Sequence, residues 1–272
     1  MKDILILVRD FQKRTPAVEF GVRLAATFGA SVTGVCVFPH PLDIAPASEP
    51  ELVAAAIEKI HQLVDVAAHS GQSFLDRGAS LGATQADWVI AEGPVSEALA
   101  QAATRHDLLV LDHATDDRGS LWQIPGVILA TRIPCIVLPR REMHYNRFER
   151  IAIAWNGSPE AMRAVHAALP LLQDKQALLI RGEERTGHAG VEWNPPFDIY
   201  EYLRQRGVMV ESCTIGTKPD DVGATLLEKA KRFRADLLVM GAYGRNRFSE
   251  RMLGGATRDV LTRADLLLFM CH

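Results

Sequence analysis

Four glycines (Gly241, Gly244, Gly254 and Gly255) and three arginines (Arg245, Arg247 and Arg251) lie in one stretch between Met240 and Thr257. The stretch starts where an apolar run, Asp236-Leu237-Leu238-Val239-Met240, ends, and it leads into a helix expected from about Gly255. In an open α/β sheet, ligands bind beyond the carboxyl ends of the strands. Glycines placed there let backbone N–H groups approach phosphate oxygens with no Cβ in the way. A following helix adds unpaired N–H groups and the positive end of its dipole. The arginines supply charge-assisted contacts. This residue set points to phosphate binding. The plainer reading is that the glycines serve tight turns and helix–sheet packing.

Other signals for chemistry are weaker. Gly78-Ala79-Ser80-Leu81-Gly82 has the G-x-S-x-G spacing of a hydrolase nucleophile elbow. That elbow needs a strand before the serine and a helix after it, and here the order is reversed. None of the nine histidines forms a close ligand pair on one helix face. Cys36, Cys135, Cys213 and Cys271 lie far apart and fall in expected strands, where a thiol fills space as a small apolar group. Asn156-Gly157-Ser158 has the form of a glycosylation acceptor. It reads better as a turn into a helix, with Ser158 as N-cap and Pro159 at the first helical position.

The elements that must position these residues occur in two copies. Ile4 to Val8 and Ile151 to Trp155 both read as buried strands followed by a polar turn and a helix, 17–28 in one case and 159–172 in the other. Asp107-Leu108-Leu109-Val110-Leu111 matches Asp236-Leu237-Leu238-Val239-Met240, and each follows an amphipathic helix, 96–105 or 222–234. Strands are expected near 3–8, 31–38, 83–91, 107–111 and 134–138, then near 150–155, 176–181, 208–214, 236–240 and 265–270. Apolar strands alternating with helices indicate parallel sheets covered on both faces. The fold class expected is α/β: two tandem open parallel five-stranded sheets flanked by helices, packed as an internal pseudo-dimer. Residues 1–140 form the first domain, 141–149 a linker and 150–272 the second domain. Prolines at 39, 41, 46 and 50 mark a loop in the first copy, with a helix following from Glu51 to about Arg77.

The 30 Lys and Arg against 33 Asp and Glu leave a net charge of −3, without the basic bias of a nucleic-acid binder. No apolar stretch is long enough to span a membrane, and Met1 to Asp10 does not read as a signal peptide. Widely spaced cysteines fit a reducing cytoplasm.

The chain resembles a tandem universal stress protein, and the resemblance runs over essentially all of it. Gly241, Gly244 and Gly254 match the family's nucleotide signature G-x2-G-x9-G, after which the family has Ser or Thr and this chain has Gly255. Ala154-Trp155-Asn156-Gly157-Ser158 looks like the family's first strand and turn, with Asn156 where many members carry Asp. The resemblance implies an adenine nucleotide as ligand, ATP, ADP or AMP, with magnesium accompanying ATP. Adenine is expected near Ala154, Trp155, Asn156 and Met240, with Ser158 at the turn. Phosphates are expected over Gly241, Gly244, Arg245, Gly254, Gly255, Ala256 and Thr257, with Thr257 replacing the missing hydroxyl.

The first copy departs from the signature. Asp112 stands in place of Gly241 and Thr115 in place of Gly244, and Asp112, Asp116 and Asp117 would repel phosphate. The expected protein is therefore a cytoplasmic, stress-linked regulator and not an enzyme. Its second domain binds the nucleotide, which orders the loop 241–255 and changes a surface read by an unidentified protein partner. A homodimer of the tandem chain is left open, and neither a nucleic acid nor a membrane is expected as partner. Two alternatives stand beside this reading. One is a scaffold whose glycine pocket stays closed, blocked by Trp155 or Tyr243. The other is a slow ATP hydrolase, for which Asp198, Glu250 and Asp259 stand in no recognisable motif.

Overall fold

A computed structural model describes every residue except 12, 14, 114–122, 141–147, 183–193, 217–220 and 244–254. The chain divides into two units, Met1–Ile133 and Pro134–His272. Most of the expected linker lies outside the described residues.

In the first unit, β1 (Asp3–Leu7), β2 (Ser31–Phe38), β3 (Gln85–Glu92) and β4 (Leu108–Leu111) are parallel, in the order β3-β2-β1-β4. The central strands are fully buried, with Ile4, Leu5, Ile6, Leu108 and Leu109 all at 0% exposure. Burial on both faces explains why their sequences do not alternate. Helix α1 (Pro16–Phe28) starts at the N-cap Thr15, whose hydroxyl accepts from the Val18 N–H at 3.4 Å. It stops at Gly29, which takes the left-handed conformation. A short helix, α2 (Pro41–Ile44), falls inside the segment expected to be a loop. At four residues it is too short to show helical periodicity. Helices α4 (Val95–Ala103) and α5 (Gln123–Thr131) complete the unit after the long α3 (Pro50–Leu81).

Helix α3 seats itself on the sheet through small residues. A Cβ at Gly71 would sit 2.5 Å from the Trp88 ring, whose Nε1 donates to the Ala67 carbonyl at 3.0 Å. Gly78 lies against Ala86 for the same reason. Ser80 therefore sits in the last turn of a helix, donating to the Arg77 carbonyl at 2.9 Å, and not in a strand-to-helix elbow. Arg77 of α3 also forks onto Glu19 of α1 at 2.6 and 2.8 Å, tying the two helices together.

The second unit repeats the element order. It comprises β6 (Arg150–Trp155), α6 (Pro159–Leu172), β7 (Gln176–Arg181), α7 (Ile199–Arg204), β8 (Met209–Thr214), α8 (Val222–Phe233), β9 (Leu237–Gly241), α9 (Gly255–Arg263) and β10 (Leu267–Cys271). Its strands β10-β9-β6-β7-β8 are all parallel, as expected. Strand β5 (Cys135–Val137) also falls in this unit and runs antiparallel to β10, with Cys135 opposite Met270. The first unit thus carries four parallel strands where five were expected. An apolar run of three residues specifies burial but neither partner nor direction. One device recurs in both units: Asp107 Oδ2 accepts from the Lys2 N–H, and Asp236 Oδ2 accepts from the Arg150 N–H.

Burial pushes the Glu19 carboxyl up, but hydrogen bonds from Arg77 and Arg23 outweigh it and hold the group below its ordinary 4.5. A depressed carboxylate pKa stabilises the fold above the unfolded value and loses that effect as pH falls through the folded value. Arg77→Ala should therefore lower the urea midpoint at pH 7. The gap to wild type should close as pH drops below about 4.5. Urea titrations at stepped pH check this, and a pH-independent gap would assign the loss to packing alone.

Candidate functional site

The second unit's cavity forms where β6 and β9 end, and α6 determines its floor. The turn from β6 into α6 is built by Asn156, Gly157 and Ser158. Asn156 Oδ1 accepts from the Ser158 N–H at 3.1 Å, and Gly157 takes φ +72°. Ser158 is the N-cap, accepting from the Ala161 N–H at 3.1 Å, with Pro159 opening the helix. The Asn156 carbonyl oxygen is thus spent on the turn, which leaves its amide N–H groups as the donors a ligand can use.

Strand β9 then closes on this turn. A Cβ at Gly241 would lie 2.5 Å from the Ala161 nitrogen and 2.7 Å from the Glu160 carbonyl carbon, both backbone atoms that cannot swing aside. Only glycine permits the approach. It brings Met240 and Gly241 beside Ala154, Trp155, Asn156 and Ser158, and Ala256 and Thr257 of α9 complete the wall. The cavity measures about 160 Å³. Thr257 is buried, so its hydroxyl is held within the wall.

Nine of the residues expected at the site line this one cavity: Ala154, Trp155, Asn156, Ser158, Met240, Gly241, Ala256 and Thr257, with Tyr243, expected only as a block, among them. Gly255 is not in the lining and lies exposed at the start of α9. Gly244, Arg245, Arg247, Glu250, Arg251 and Gly254 lie outside the described residues. So do Thr115, Asp116 and Asp117 of the first copy.

Two lining groups have a role that the sequence did not reveal. Glu160, in the first turn of α6, is buried and pairs with Arg163 at 3.1 Å. Its helix period marks it as an ordinary first-turn acid, and only the closure of β9 places it in the cavity. Tyr243 sits at φ +56°, a left-handed conformation that is strained for a side-chain-bearing residue. Its Oη is buried without a hydrogen-bond partner, and burial pushes its pKa well up. A buried, unpaired hydroxyl is expensive, and one kept in a folded chain calls for a specific reason.

The first unit meets the same joint differently. Asp112, in the place of Gly241, projects its Oδ1 onto the Ala17 N–H at 2.9 Å. Burial raises its pKa, against the hydrogen bonds from Thr15 and Ala17 and the charge of Arg9. A carboxylate occupies this helix start.

Comparison with known proteins bears on the unit that holds the cavity. Residues 200–271 match the universal stress protein family. The match runs from α7 through β8, α8, β9 and α9 to β10 and so includes Met240, Gly241, Tyr243, Ala256 and Thr257. A universal stress protein from Archaeoglobus fulgidus DSM 4304 superposes with a TM-score of 0.69 at 15% identity, over 98% of this chain and 95% of that one. A functionally unknown protein from Pseudomonas aeruginosa PAO1 superposes at 0.55 and 13% identity, over 99% and 92%. At these identities the likeness is one of fold. No curated protein matches the sequence. Among the described residues, no group of three or more His, Cys, Asp or Glu is placed to hold a metal ion. No described helix is long and apolar enough to cross a membrane.

Removing the orphaned hydroxyl should stabilise the ligand-free protein. Tyr243→Phe keeps the ring and deletes Oη, so the unfolding free energy should rise by about 1–3 kcal/mol. Denaturant melts of both proteins decide it: a lower midpoint in the variant would mean that Oη already has a structural partner.

Proposed function

We propose that the second unit binds an adenine nucleotide and that the bound and free chains present different surfaces to a protein partner. The observation that carries this reading is the convergence of Asn156, Ser158, Met240, Gly241 and Thr257 on one cavity at the ends of β6 and β9. The base lies against the apolar side, formed by Ile180, Ile215, Leu226 and Met240. The ribose and first phosphate lie toward Asn156, Ser158 and Thr257. Magnesium, where ATP is the ligand, arrives with the triphosphate.

The repeated element order and the shared aspartate device support a tandem pair of universal stress protein domains. Four free cysteines support a reducing, cytoplasmic setting. The role is regulatory and stress-linked and consists of binding, not turnover. Signalling follows from differential affinity, since a ligand shifts a conformational equilibrium only as far as it prefers one state.

The test begins with denaturing the purified chain and identifying released nucleotide by mass spectrometry. The emptied protein is then titrated with ATP and AMP by calorimetry. About one nucleotide per chain is expected. Thr257→Ala and Asn156→Ala should each weaken binding about tenfold, the effect of one lost polar contact. No carried nucleotide and no heat up to millimolar ligand would overturn the reading and leave a scaffold. Steady phosphate release from ATP would move it to slow hydrolysis.

A further inference from the structure

The first unit has a cavity of its own at the carboxyl edge of its sheet. It measures about 910 Å³ and opens where β1, β2 and β3 end, between the starts of α4 and α5. It occupies the place in the first unit that the 160 Å³ cavity occupies in the second. Its size falls in the range of about 300–1,000 Å³ typical of small-molecule sites.

We propose that this cavity is a binding site for a small, uncharged, predominantly apolar molecule. Three observations define the ligand class. The walls are mostly apolar: Val8, Phe11, Val37, Phe38 and Val127 line them, and the Phe11 and Phe38 rings meet edge to face at 5.8 Å. This pair gives a fixed aromatic surface against which a ring or branched chain can pack. Cys36 is a neutral thiol here, since burial pushes its pKa up to about 12.

The charges argue against an anion. Arg9 lines the cavity, and its charge also acts on the Asp112 carboxyl close by. Asp112 also takes the Ala17 N–H, so the start of α1 is occupied by a negative group. Asp43 adds a carboxylate to the lining. A phosphate would find one lining cation set against the Asp43 carboxylate of the lining and the Asp112 carboxylate at the start of α1, a weak Coulomb balance for an anion.

The rim supplies the third observation. Ile44, part of the lining, is 55% exposed, and Leu42 beside it on α2 is 53% exposed. Large apolar side chains grouped at the mouth of an apolar cavity mark a ligand entrance.

The probe for the test is N-phenyl-1-naphthylamine, an uncharged dye whose emission rises in apolar surroundings. The full chain should bind it saturably, near one per chain, and neither AMP nor inorganic phosphate should displace it. A Cβ added at Gly126 on α5 meets nothing within 4 Å, so Gly126→Phe is the first filling variant. Ser96→Phe, at a lining position on α4, is the second. Each should weaken the dye at least tenfold while circular dichroism and the melting midpoint stay at wild-type values. A variant that fails to fold is set aside for the other, and Ile44→Ser, at an exposed position, should weaken binding more mildly. Non-saturable binding, equal affinity in both folded filling variants, or displacement by phosphate or AMP would overturn the proposal.

Discussion

In each unit, the end of a central strand must come within touching distance of the first turn of a helix launched from the neighbouring strand. Everything at the carboxyl edge of the sheet depends on how that approach is made. In the second unit the strand end is Gly241, and the absence of a Cβ lets the backbone of β9 lie directly on Glu160 and Ala161. In the first unit the strand end is Asp112, which bridges the same gap with its carboxylate and hydrogen-bonds the Ala17 N–H. In the first unit the carboxylate takes up a helix-start donor, whereas in the second that task falls to the Ser158 hydroxyl. The two solutions leave different electrostatics behind. The glycine solution leaves the turn's polar groups facing a small cavity. The carboxylate solution fills the position with negative charge beside a large apolar one.

That joint can be held only because the strands behind it do not move. Ile151, Ile153, Leu237, Leu238 and Val239 are fully buried, as are Leu268 and Phe269 to within 2%. Each such side chain contributes roughly 1.5–3 kcal/mol relative to exposure, against the entropy of ordering it. The strained Tyr243, at φ +56° with an unpaired hydroxyl, sits two residues beyond the end of β9, where surrounding structure can hold a conformation that isolated chain would leave. Ala242 between them is pinned from the other side: its N–H donates to the Cys271 carbonyl at 2.8 Å, and its own carbonyl meets His272 Nδ1 at 3.0 Å.

Much of this was legible in the sequence, for a physical reason. Strands buried on both faces must be apolar throughout, so each of them stood out as an unbroken run, and the helices between them showed the period of a half-buried helix. Ser158 and Pro159 announced a helix start because capping depends on residue type alone. The pairing of β5 with β10 was not legible, since a three-residue run carries no direction. Tyr243 and Glu160 were missed for a different reason. Whether a tyrosine closes a pocket or joins its wall depends on a backbone angle, and whether a first-turn glutamate is solvated depends on how near another strand comes. Neither quantity has a local signature. Asp112 was legible as an obstacle to phosphate, but not as the cap of α1, because the two residues it joins lie 95 apart in the chain.

The same joint therefore accounts for a difference in what the two edges can hold. Glu160 brings a carboxylate into the second cavity, yet Arg163 answers it at 3.1 Å, so the lining there is polar without a bare negative charge. A ligand with an apolar face and hydrogen-bonding groups along one side fits such a lining, and a nucleoside has that form. In the first unit the Arg9 charge works against burial on the Asp112 carboxyl, as do the Thr15 and Ala17 hydrogen bonds. Removing Asp112 would also remove the acceptor of the Ala17 N–H, so the charge at this edge and the start of α1 are tied to a single side chain.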